Sequence, residues 1–173
     1  ATIPDAHLKV AEIDPMVTEV AAQSLWLDPD HPALDIRHRD ARSLLQSLPQ
    51  ESLFDVIFGD AFHDISIPTH LVSREFNRVV AERLNPGGFY VMNVVDAAAH
   101  PRLVGAIAAT LSVDFEAVDI WVEDLPKDNE TQADSRQTYV LVAAQTRPNP
   151  GGFLDAVFGI ERRWRRLDVE QVT

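Results

Sequence analysis

Apolar and polar positions change period repeatedly along this chain, and those changes mark out its elements. Residues 8–13 form a short, mostly apolar run closed by Glu12-Ile13-Asp14-Pro15, after which Met16, Val17, Val20, Ala21 and Leu25 recur at helical spacing. This reads as a strand followed by a helix, with Asp14 as N-cap and Pro15 at the first helical position, where a missing N–H costs nothing. Residues 27–32 (LDPDHP) make a turn, 34–38 alternate as a strand does, and 40–48 form a short helix. The continuous apolar run 54–58 (FDVIF) is of the buried-strand type. Over 68–84, Leu71, Val72, Phe76, Val79, Val80 and Leu84 share one face and Arg74, Glu75, Arg78, Glu82 and Arg83 the other, which predicts an amphipathic helix. Asn85-Pro86-Gly87-Gly88 breaks it. Residues 89–95 read as a strand, 101–111 as a helix, and 115–122 and 138–144 as strands. The polar loop 123–137 between the last two strands is long enough to suggest a role over a site. A final helical pattern, 153–167, follows Pro150-Gly151-Gly152.

The predicted order is β-α-β-α-β-α-β-α-β-β-α. Such alternation implies an α/β fold of the doubly wound kind: a mostly parallel sheet with helices on both faces and a late antiparallel strand. One domain is expected over 1–146, with a C-terminal helical extension over 147–173. No internal repeat or low-complexity segment interrupts it.

Composition narrows the partners. With 173 residues the chain is long enough for one core and short for two. No apolar run reaches the roughly 18 residues that span a bilayer, and the opening ATIPDAHLKV lacks the regions of a secretory signal, so nothing marks the chain for export. Without cysteine, disulfides and thiolate metal sites are excluded, and the cytoplasm is the expected location. Fifteen basic against 27 acidic residues give a formal charge of −12, which disfavours nucleic acid as a partner and would draw in a cationic substrate. The plainer account of that charge is solubility. Locally, Glu161-Arg162-Arg163-Trp164-Arg165-Arg166 gathers four of the basic residues, most simply on a solvated terminal helix.

In an open parallel sheet, ligands bind outside the carboxyl ends of the strands. Three successive predicted strands end there in an acid: Glu12, Asp40 and Asp60. A carboxylate such as Glu12 accepts hydrogen bonds from both hydroxyls of a ribose, having two oxygens and no donor. Asp40, followed by Ala41 at a helix start, suits an exocyclic adenine amine, with a neighbouring backbone N–H meeting a ring nitrogen. Asp60 falls where the reacting end of such a ligand would lie. Each acid alone is equally well a helix cap or a solvated loop carboxylate; three in register favour a nucleoside site. The loop 60–70 also holds Asp64, His63 and His70, but without the i, i+4 spacing of a zinc helix, so no metal site is expected. Both histidines are read as hydrogen-bonding loop or helix-start residues able to titrate near neutrality.

Taken together, AEIDP at 11–15, RDAR at 39–42, FDVIFGDAF at 54–62, IPTHLVSREF at 67–76 and LNPGGFYVMNV at 84–94 resemble the spermidine synthase (polyamine aminopropyltransferase) family, on a class I S-adenosylmethionine-dependent methyltransferase fold. The resemblance covers roughly 8–145. It implies that Glu12, with Ile13, binds the ribose of decarboxylated S-adenosylmethionine, that Asp40 and Ala41 bind adenine, and that Asp60 accepts a proton from the attacking amine. His63, Asp64 and His70 would face the amine substrate. Homodimerisation is a further family expectation; no metal is implied.

The chain departs from the family in places. Typical members continue the catalytic Asp as Asp-Ser-x-Asp-Pro, whose second acid holds the distal amine of putrescine; here His63 stands there, with Asp64 beside it. The Tyr-His-rich N-terminal part and the Trp-containing stretch before the last strand are absent. So are the first strand and its Gly-rich turn, without which the strands ending at Glu12 and Phe58 lack the neighbour expected between them. A fragment of a longer protein is the expected explanation, a strand from another chain or a different sheet closure the alternatives. Two rival readings stand beside aminopropyl transfer: a methyltransferase acting on another acceptor, and a non-catalytic spermidine synthase-like binding module.

Overall fold

The computed structural model describes residues 5–61, 67–123, 135–147, 154–157 and 160–167. The chain divides into two compact units, Ala1–Pro49 and Gln50–Thr173.

In the first unit, β1 (Leu8–Ala11) and β2 (Leu34–Arg37) pair in parallel, from Leu8↔Leu34 to Ala11↔Arg37. Helix α1 (Pro15–Ser24) begins as predicted: Asp14 is extended and accepts the Met16 N–H at 2.9 Å, and Pro15 occupies the first position. Helix α2 (Ala41–Ser47) is capped by Asp40, whose Oδ1 accepts the Ser43 N–H at 2.9 Å. On the sheet face, Asp35 bonds Lys9 and pairs with Arg37 at 2.6 Å. The Lys9 hydrogen bond first, then that of Arg37, holds the Asp35 carboxyl below its ordinary range. Among the described residues, Leu44 is the unit's one buried apolar side chain, whereas Leu8, Val10, Met16, Val17 and Val20 stay exposed and Trp26 is 96% exposed.

The second unit carries the core. Its strands are β3 (Phe54–Gly59), β4 (Leu84–Ala97), β5 (Ala117–Glu123), β6 (Arg136–Ala144), β7 (Leu154–Val157) and β8 (Ile160–Leu167). They lie in the order β3-β4-β6-β5-β8-β7. Strands β3 and β4 are parallel; every other ladder is antiparallel, so the late antiparallel character extends from β6 through β8. Helix α3 (Arg74–Glu82) connects β3 to β4, and α4 (Arg102–Leu111) connects β4 to β5. Phe76 and Val80 of α3, Val104, Ile107 and Leu111 of α4, and Tyr90, Val94, Ile120 and Leu141 of the sheet are buried together in this unit's core. No helix among the described residues is long and apolar enough to cross a membrane.

Four expectations change. The amphipathic run 68–84 is not one helix: Thr69–Leu71 form a 3-10 turn and Ser73, extended at φ −77 and ψ 154, caps a new start by accepting the Phe76 N–H at 3.3 Å. A side-chain acceptor there outcompetes continuation of the helix. Second, the breakers at 85–88 lie inside β4, where the register jumps from Phe54↔Leu84 to Val56↔Phe89 and Gly87 takes φ +83. The extra residues bulge out, in a conformation that glycine adopts without strain. Third, the predicted C-terminal helix of the 147–173 extension is instead the antiparallel pair β7 and β8. The remaining edge of β5 offers unpaired ladder groups, and β8 satisfies them through Ile120↔Leu167 to Glu123↔Trp164. The buried Asp119 strengthens that choice, with Arg166 at 3.5 Å and Arg147 at 3.3 Å. Finally, the run 54–58 is less buried than its pattern predicts, for Phe58 is 74% exposed.

Candidate functional site

Parallel strands all present their carboxyl ends on one rim, so the two acids of the first unit share an edge of its sheet. Glu12 follows β1 directly, and its backbone N–H bonds the Arg37 carbonyl at 3.1 Å, continuing the ladder one step. Its side chain bends toward the helix start: Oε1 accepts the Asp14 N–H at 2.9 Å. Among the described residues Oε2 makes no hydrogen bond. Ile13 beside it is exposed. Asp40 is half-buried and committed to capping α2, while Ala41 supplies the first helical N–H. The helix-cap role that sequence reasoning weighed for Asp40 is therefore real; a ligand amine would have to share this carboxylate with the cap. The donor set still suits a nucleoside, since acceptor oxygens meet ribose hydroxyls and an amine. A separate cavity of about 330 Å³ in this unit is lined by Lys9, Arg37, Arg39, Leu44 and Ser47 and by none of these four residues.

Asp60 belongs to the second unit and lies just past the carboxyl end of β3. Its approach is set by a close fit: a Cβ on Gly59 would stand 2.3 Å from the Tyr90 hydroxyl, and Tyr90 is fully buried. Burial also pushes the Tyr90 phenol up, so it stays protonated. Among the described residues the exposed Asp60 carboxylate is held by one neighbour, Asn93 of β4, whose Nδ2 donates to Oδ1 at 3.0 Å. Asn93 escaped sequence reasoning because it sits inside the apolar run FYVMNVV. The signal was nevertheless present, since a polar residue in a strand that packs on both faces needs a partner.

The same rim of the second unit's sheet carries, besides Asp60, a further acid that the pattern did not single out. Asp96, near the end of β4, accepts the N–H groups of Ala97 at 2.8 Å and Val104 at 3.0 Å, thereby capping α4 from outside that helix. Beside it the Tyr139 hydroxyl donates to the Ala97 carbonyl at 3.4 Å. Burial first, then the Asp96 charge, raises the Tyr139 phenol, against the opposing effect of Arg165. Ala98, Pro101, Val122, Gln137, Tyr139 and Arg165 enclose a cavity of about 190 Å³ there.

His70 is exposed in the 3-10 turn, and its carbonyl accepts from the Ser73 hydroxyl at 3.5 Å. His63, Asp64 and most of the 123–137 loop lie outside the described residues. Among the described residues no three His, Asp or Glu side chains gather as a metal site would require.

No family model matches the chain. Over 92 residues, 53% of this chain and 19% of the relative, it is 36% identical to a probable polyamine aminopropyl transferase of Bifidobacterium longum. Over 91 residues, 52% of this chain and 30% of the relative, it is 32% identical to the polyamine aminopropyltransferase of Vibrio vulnificus. Each match thus spans under a third of the curated relative's length. Among solved structures, a probable spermidine synthase from Corynebacterium glutamicum superposes with a TM-score of 0.69 at 24% identity, over 83% of this chain and 49% of that one. A spermidine synthase in complex with the transition-state analogue AdoDATO gives 0.63 at 18%, over 81% and 47%. Human methyltransferase-like protein 13 in complex with SAH gives 0.62 at 21%, over 83% and 63%. The fold is that of the class I methyltransferases, and over about half of the chain the sequence is similar to polyamine aminopropyltransferases.

Proposed function

We propose that this chain is the nucleoside-binding part of an aminopropyltransferase, which moves an aminopropyl group from decarboxylated S-adenosylmethionine to an amine. The observation that carries this reading is the placement of Glu12, Asp40 and Asp60, each just past the carboxyl end of a parallel strand, in a chain whose curated relatives are polyamine aminopropyltransferases. That relatives of this fold are seen with AdoDATO and with SAH supports an adenosyl co-substrate.

The roles follow from chemistry. Glu12 takes the ribose hydroxyls, with Ile13 beside it, and Asp40 and Ala41 take the adenine. When bound, the co-substrate supplies a sulfonium whose adjacent carbon accepts a nucleophile. Asp60 attracts the ammonium and accepts its proton, because a protonated amine has no lone pair with which to attack. The amine nitrogen then bonds the carbon as the carbon–sulfur bond breaks, and the electron pair leaves on sulfur. Alignment of nitrogen, carbon and sulfur contributes much of the remaining acceleration. His63, Asp64 and His70 are assigned to the distal part of the amine, and the net charge of −12 favours approach of a cation. A homodimer, acting in the cytoplasm, completes the proposal.

Calorimetric titration of the full-length protein with methylthioadenosine and with S-adenosylhomocysteine tests the pocket. Tighter binding of methylthioadenosine is expected; preference for S-adenosylhomocysteine selects methyl transfer, and no heat with either selects a non-catalytic module. Asp60→Asn is expected to abolish turnover with methylthioadenosine affinity retained, and equal loss of both refutes its role as base.

A further inference from the structure

Resting on the reading of Asp60 as proton acceptor, we propose that Asn93 is a positioning residue that selects which Asp60 oxygen receives the proton. Strands β3 and β4 are parallel with Gly59 opposite Met92, so the next residues along, Asp60 and Asn93, are neighbours across the ladder. The Nδ2 of Asn93 donates to Asp60 Oδ1 at 3.0 Å.

Two further observations separate this contact from an incidental surface bond. First, the other end of the amide, Oδ1 of Asn93, is buried and has no hydrogen-bond partner among the described residues. A carboxylate offers acceptors only, so the amide must present its nitrogen to Asp60 and leave its own oxygen unsatisfied. A buried orphan acceptor is a cost that native structures mostly avoid. Second, the backbone entering Asp60 is fixed by the Gly59–Tyr90 fit, whereas the exposed Asp60 side chain has its own torsions to settle. Asn93 settles them. With Oδ1 engaged by Nδ2, the amine proton is directed to Oδ2: the N–H bond breaks, the proton moves to Oδ2, and the freed nitrogen pair forms the new C–N bond as sulfur leaves. A misdirected carboxylate would still attract the cation but would accept its proton poorly, so the effect belongs in kcat.

The test is steady-state kinetics of the full-length protein with decarboxylated S-adenosylmethionine and putrescine, together with methylthioadenosine calorimetry, on Asn93→Leu, Asn93→Gln and Asp60→Asn. Leucine keeps the volume and removes the donor; kcat is expected to fall about 10–100-fold, with KM for the nucleoside and methylthioadenosine affinity within about twofold. Asn93→Gln, which restores a donor, is expected to recover most of the loss. If Asn93→Leu does not fold, Asn93→Ser, too short to reach Asp60, is read in its place. An Asn93→Leu kcat near wild type, while Asp60→Asn is inactive, overturns the role of Asn93 alone. So does a loss in kcat matched by an equal loss in methylthioadenosine affinity, or one that glutamine fails to rescue. Turnover by Asp60→Asn, or none by the wild type, overturns the reading of Asp60 and this inference with it.

Discussion

Helices α1 and α4 are both ten residues long and both follow a strand, yet α4 buries Val104, Gly105, Ile107, Ala108 and Leu111 whereas α1 buries none of its residues. Their apolar repeats are comparable in kind. What differs is what each unit provides. The second unit sets its helices among six hydrogen-bonded strands. The first has two strands of four residues, which is too little sheet to cover an apolar face. Periodicity thus specifies that a helix forms and which face is apolar, while burial depends on how much partner surface the fold assembles.

That contrast can be broken at several levels. The largest effect is expected in the sheet core: Leu141→Ala, at a fully buried position, should cost about 2–5 kcal/mol in urea unfolding. The corresponding truncation Met16→Ala on the exposed face of α1 should stay within about 0.5 kcal/mol. Equal costs would show that the first unit is as well packed as the second. Next comes Gly59→Ala, whose new methyl meets the Tyr90 hydroxyl; overpacking of about 1–3 kcal/mol is expected, with loss of turnover because Asp60 is displaced. Asp40→Ala should cost about 1 kcal/mol through the lost α2 cap. It should also weaken methylthioadenosine binding if the same carboxylate meets adenine, and unchanged affinity would leave Asp40 a cap only.

The smallest effect is expected at Asp35, whose carboxylate is more than one-third exposed between Lys9 and Arg37. Its lowered folded-state pKa means that it contributes stability above the usual carboxylate range, and that this contribution is lost as pH falls through the lowered value. Solvent screening keeps it under about 0.5 kcal/mol. Asp35→Asn should therefore cost little at neutral pH, nothing in strong acid, and less in high salt; a cost that persists in acid would exclude the ion pairs as its source.

Much of what is proposed as the site was legible because its signals are local. Glu12, Asp40 and Asp60 could be found from strand ends alone, and Asp14 with Pro15 announced α1 through capping chemistry that needs no distant partner. Asn93 was not legible in that way. Its role depends on the register of two parallel strands separated in sequence by a helix, and no periodicity within β4 reports which residue lies alongside. Asp96 was missed for a similar reason, since it caps α4 from the preceding strand.

By itself the chain's order of residues determined the existence and type of most elements, the acids at three strand ends and the α/β class, because caps, breakers and repeat periods act over a few residues. Only the tertiary structure decided that 160–167 would be a strand, although its Ile160, Trp164 and Leu167 are spaced as on a helix. The edge of β5 needed ladder partners and the buried Asp119 needed cations. Those demands come from residues some forty positions away, and satisfying them outweighs a local preference that is weak per residue.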